Sequence, residues 1–128
     1  MQPTTLKELE WIHDCTVLSI LYDTSSGADR SITVAMRCPT DLGYAPWEGK
    51  SLALSAMNVA LSKHVVCGVV GPETVDAVRP GVSNAVREGT MEARRMGVRF
   101  PNLEFTISLH SGSAIEVICE KLQIHVGS

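Results

Sequence analysis

The chain is poor in most of the features that would announce a function. Aromatic residues make up only 5% of it, two each of Phe, Tyr and Trp. No apolar run approaches the ~20 residues that span a bilayer, so no membrane contact is expected. Positive charge is not in excess: 11 Lys and Arg stand against 14 Asp and Glu, for a formal net charge of -3. That balance offers no general attraction for phosphate backbones or anionic lipid, so nucleic acid is not an expected partner. Gly-x-Gly-x-x-Gly and Gly-x-x-x-x-Gly-Lys are both missing, which removes the common phosphate-cradling loops. Gly-x-Ser-x-Gly is missing too, so no serine stands out as a nucleophile. Nor is there a Cys-x-x-Cys, His-x-His or His-x-x-x-His spacing to suggest a metal centre. No cofactor, metal ligand or catalytic residue is therefore expected.

What is present is an ordinary globular composition, 45% hydrophobic and 20% charged over 128 residues. Those values fit one domain spanning residues 1–128 and lie far from the disordered regime. The start, Met1 to Thr5, lacks the basic and apolar segments of a signal peptide, so the cytoplasm is the expected location. Cys15, Cys38, Cys67 and Cys119 each lie in or beside a run that reads as strand. They are expected as buried thiols acting as small apolar side chains. A disulfide or a zinc site shared across strands stays open, without support from spacing.

Alternation is the strongest pattern. Leu103, Phe105, Ile107 and Leu109 share one side of an extended segment, and Ile115, Val117 and Cys119 return after Ser111-Gly112. Such a pattern predicts an antiparallel hairpin with one buried face. Asp14 to Asp23 and Arg30 to Cys38 predict an earlier hairpin, its second strand placing Ile32, Val34, Met36 and Cys38 inward. Ser51 to Leu61 continues as strand with a phase flip near Ala56, which predicts a bulge. His64 to Val70 reads as a further strand. A short turn is expected at Thr74 to Val78, and a second phase flip places a bulge at Glu120-Lys121.

One helix is expected near residues 83–96, with Ser83 as N-cap, Gly97 just past the end, and Val82, Ala85, Val86, Ala93 and Met96 as its apolar stripe. The fold class is α+β: a twisted antiparallel sheet of about six strands, with barrel-like closure as an option, and this helix over one face or end. Sheet edges need cover, which gives homodimerisation a physical motive.

Candidate working residues are few. Tyr44 and Trp47 lie in a proline-punctuated loop, where amphipathic aromatics suit contact with a partner; Trp47 also suits a lid over the sheet. Arg94 and Arg95, with Arg87 and Arg99, read as a mixed-charge helix face or as a partner- or phosphate-binding patch. His13-Asp14 is the alternative of another class: a small metal-dependent hydrolase would use this pair with His64, His110 or His125. Adjacent strand residues point to opposite faces, which argues against the pair sharing one metal.

Ile12-His13-Asp14, followed by Val17, Ser19-Ile20 and Asp23, and then Pro46-Trp47-Glu48-Gly49-Lys50, resembles motifs of small bacterial β-rich families of uncharacterised function. Some relatives of that type are labelled immunity proteins of contact-dependent toxin systems. The resemblance implies a non-catalytic domain that binds a protein partner or a small ligand, and it carries over no catalytic residue.

Overall fold

Alternating apolar residues seek an apolar partner surface, and the chain meets that demand with strands along most of its length. The computed structural model describes residues 2–23, 30–40, 47–65 and 73–127. Among these residues the strands are β1 (Gln2–Pro3), β2 (Thr16–Asp23), β3 (Ser31–Arg37), β4 (Ser51–Met57), β5 (Leu61–Val65), β6 (Glu73–Pro80), β7 (Leu103–Leu109), β8 (Ala114–Cys119) and β9 (Lys121–Val126). A 3-10 turn at Glu8–Ile12 precedes β2, and the helix α1 (Asn84–Arg95) is inserted between β6 and β7. The α+β class stands.

All ladders are antiparallel, in the order β1-β9-β4-β3-β2-β6-β7-β8-β5. The described sheet is thus open and nine-stranded, its first strand only two residues long, rather than six-stranded and barrel-like. The count exceeds six through the two-residue β1, through β6, expected as a turn, and through the separation of β9 from β8; neither of the two phase flips is a bulge. At the first, Asn58 takes a left-handed φ of 53° and the chain leaves β4, a neighbour of β3 and β9, for β5, a neighbour of β8. At the second, Glu120 separates β8 from β9. The segment expected as a short turn at Thr74 to Val78 is strand β6. Its ladder with β7 shifts register between Val75 and Ala77, which breaks the period a strand would show in sequence.

β2 and β6 share only two register pairs, Thr16↔Thr74 and Val17↔Glu73. This narrow seam divides the sheet into halves that fold face to face. Ile32, Val34, Leu54 and Ala56 from one half meet Phe105, Ile107, Ile115 and Val117 from the other, leaving a void of only about 10 Å³ between them. Leu9, Ile12, Cys15 and Val75 add fully buried side chains to the same core cluster. Full burial of each large aliphatic side chain contributes about 1.5–3 kcal/mol, so this facing pair of layers is the main source of stability. β2 is central in the ladder, yet Leu18 and Leu21 remain 62% and 64% exposed, so a central place in the sheet does not bury them.

The helix matches its expected limits to within a residue at either end. The Ser83 side chain accepts a hydrogen bond from the Val86 amide at 3.4 Å, and Gly97 turns the chain with φ of 92°. Its buried stripe is narrower than expected, consisting of Val86 and Thr90, while Ala85 and Met96 are exposed. Thr90 tolerates burial because its hydroxyl donates to the Arg87 carbonyl. Among the described residues no helix is long and apolar enough to cross a membrane.

Candidate ligand-binding groove

The outer face of the β6-β7-β8-β5 half carries a row of polar residues, one from each strand. Register sets Lys63 opposite Glu116, Glu116 opposite Thr106, and Thr106 opposite Arg79. Directly paired residues share a face, so all four side chains start on one side of the sheet. The neighbouring row is Ala114, Ser108 and Ala77, whose small side chains leave a hollow. The result is a groove of about 480 Å³, lined by Lys63, Arg79, Pro80, Gly81, Val82, Ser83, Thr106, Ser108, Ala114 and Glu116.

Glu116 is the anchor of this surface. It is only 4% exposed, and its Oε1 accepts a 2.5 Å hydrogen bond from the Ser83 amide at the start of α1. The partial positive charge of a helix N-terminus favours a carboxylate there. At the far end of the helix, Arg94 Nη2 pairs with Glu104 Oε1 on β7 at 3.4 Å. These two contacts tie α1 to the sheet's outer face, and residues 80–83, which lead into it, form one wall of the groove. Thr106 fixes the adjoining loop by donating to the Gly81 carbonyl at 2.9 Å.

Because the Glu116 carboxylate is turned to the Ser83 amide, it does not pair with Lys63. Neither Lys63 nor Arg79 forms an ion pair with any described carboxylate. Both are exposed. Three strand spacings separate them, about 14 Å, so two cations without a described carboxylate partner stand at opposite sides of a hydroxyl-bearing floor.

The sequence-based candidates lie elsewhere. Trp47 is half-buried and packs against the core cluster, in a turn closed by Lys50 N–H to Trp47 C=O and by Gly49 N–H to Pro39 C=O. Tyr44 lies outside the described residues. Arg94, besides holding Glu104, stacks its guanidinium 5.3 Å from the Phe100 ring centre. Arg95 pairs with Glu92 one turn back at 3.4 Å. The groove residues carry no motif. The one signal available was Glu116, a carboxylate inside the otherwise apolar run Ile115–Cys119.

His13 and Asp14 do not open a strand, as the sequence suggested. They occupy the turn before β2, where Asp14 adopts a left-handed φ of 68° and donates its amide to the Val75 carbonyl. That conformation lets both side chains meet: His13 Nδ1 lies 3.0 Å from Asp14 Oδ2. His110, from the turn after β7, brings Nε2 to 3.5 Å from Asp14 Oδ1, and its Nδ1 lies 3.9 Å from Asp76 Oδ1. Asp14 thus sits between two imidazoles on an open surface. His64 and His125 are exposed and, among the described residues, take no part in this cluster. No group of three described His, Cys, Asp or Glu side chains is placed to hold a metal ion.

Cys15, Cys38 and Cys119 are buried, while Cys67 lies outside the described residues. The sulfurs of Cys15 and Cys38 are 2.7 Å apart. Sharing a proton pushes the Cys15 thiol well above its usual range and draws Cys38 below its own. Burial pushes the Cys119 thiol up to about 11.

Compared with protein-family models, curated proteins and solved structures, the chain matches none of them.

Proposed function

We propose that this protein is a non-catalytic binding domain whose ligand is a small anion-bearing molecule held in the groove over β5, β8, β7 and β6. The single observation behind this reading is the pair of cations, Lys63 and Arg79, which have no partner among the described carboxylates and flank a hollow floored by Thr106, Ser108 and Ala114. Arg79 supplies a planar fork suited to carboxylate or phosphate, and Lys63 supplies a compact point charge. Glu116 accepts from the Ser83 amide and shapes the site by holding the start of the helix. The resemblance to immunity-labelled families agrees with a binding role without catalysis.

Ligand-observed NMR with inorganic phosphate and with glutarate tests this and separates the two anion chemistries. Binding with a Kd of about 1 mM, corresponding to about -4 kcal/mol, is expected for one of them. The Lys63→Ala/Arg79→Ala double variant should lose it. Equal binding by wild type and double variant would refute the assignment.

A second reading has a specific observation in its favour, the meeting of His13, Asp14 and His110. A metal-dependent hydrolase would need these three side chains, which as placed do not form a metal-holding group, to draw together around an ion. Metal analysis of the purified protein decides it: stoichiometric zinc, iron or manganese, lost on Asp14→Ala, would favour hydrolysis over simple binding.

A further inference from the structure

The β2–β3 hairpin pairs Thr16 with Arg37, which sets Cys15 directly opposite Cys38 one step beyond. The two residues do not bond each other through the backbone. The Cys15 amide donates to the Ile12 carbonyl and the Cys38 amide to the Lys50 carbonyl. This makes them a non-hydrogen-bonded cross-strand pair, the kind with the shorter Cα separation of about 4.5 Å. That separation lies inside the range a disulfide spans. Both side chains point into the core, at 0% and 2% exposure, with their sulfurs already in contact.

We propose that Cys15 and Cys38 form a disulfide that staples the β2–β3 hairpin beside the seam between the two sheet halves. The oxidant is a low-molecular-weight disulfide, RSSR. Cys38, as thiolate, attacks one sulfur of RSSR, forming a mixed disulfide and releasing RS⁻. Cys15 then attacks the Cys38 sulfur, forming the internal bond and releasing the second RS⁻. The two protein thiol protons leave with the two RSH molecules, so two thiols are oxidised as one RSSR is reduced. Exchange takes place while the hairpin is paired and the core is still open, since the closed core shuts both sulfurs away from an oxidant.

The position gives the bond a consequence. The Cys15 carbonyl accepts from the Val75 amide, and Asp14 donates to the Val75 carbonyl. These contacts flank the two register pairs that join the halves. A covalent link here holds β3, the pre-β2 turn and β6 together where the sheet is narrowest.

Refolding the full chain with oxidised glutathione, alkylating in denaturant without reductant, and mapping with trypsin tests the proposal. Trypsin cuts at Arg30 and Arg37, between the two cysteines. The expected product is a linked pair of peptides carrying Cys15 and Cys38, lighter by two hydrogens than their sum. Cys67 and Cys119 should carry the alkyl label or glutathione. Oxidised protein should melt about 10 °C above reduced protein, a difference absent in Cys15→Ser and Cys38→Ser. Alkylation of both Cys15 and Cys38, or a link joining another pair, would overturn it.

Discussion

Glu116 shows how one side chain can decide the shape of a site. It is buried on the outer face of β8 and accepts a charge-assisted hydrogen bond from the Ser83 amide, so its removal loses that bond and empties the space its side chain fills. Glu116→Ala should therefore cost about 1–3 kcal/mol in urea denaturation, whereas Glu116→Gln, which keeps an acceptor oxygen, should cost less. Cys119 makes a prediction in pH. Its thiol is held at about 11 in the folded chain against an ordinary 9.0, so above pH 9 the unfolded chain releases a proton that the folded chain retains. Stability from this group is intact below pH 9 and drains away as pH rises towards 11. The stability difference between wild type and Cys119→Ala, read by denaturant titration at pH 8 and pH 11, should shrink by roughly 2–3 kcal/mol.

At the scale of elements, the helix offers a clean test. Gly89 sits in its exposed interior, and a Cβ built there meets nothing within 4 Å. Gly89→Ala should stabilise the protein by about 0.5–1 kcal/mol, seen as a higher Tm. Gly97→Ala should do the reverse, because its φ of 92° strains any side chain although the space is open. Elements were legible in sequence where one physical signal acted alone. Alternation marked β3, β7 and β8, and the Ser83 cap and Gly97 stop marked the helix. β6 was not legible, because its register shift and Asp76 scrambled the period. The flips at Ala56–Asn58 and Glu120–Lys121 were visible in sequence, but a bulge and a passage between sheet halves give the same pattern. Only pairing partners distinguish them.

For the whole molecule, the open sheet folded at a two-pair seam explains both the core and the groove. Stability comes from facing layers, so Phe105→Ala, which removes a side chain only 1% exposed between the halves, should cost about 3–5 kcal/mol by calorimetry or urea titration. The groove was beyond the reach of sequence reading for a simple reason. Lys63, Arg79, Thr106 and Glu116 come from four strands, each contributing one unremarkable polar residue, and only the register brings them into a row. The same holds for Cys15 and Cys38, 23 positions apart and neighbours only through the β2–β3 ladder. The Asp14 cluster was named in sequence, with His110 among three candidate partners, but discounted because a strand would have parted His13 from Asp14; the left-handed turn joined them.

The groove assignment carries the functional account, and residue-resolved NMR of the labelled protein tests it most directly. Titration with the anion that binds should move the backbone amides of Ser83, Thr106, Ser108 and Glu116 together. It should leave those around Asp14 and Trp47 in place, with affinity falling as sodium chloride is raised. Shifts centred on His13, Asp14 and His110, or none at the groove, would contradict the account.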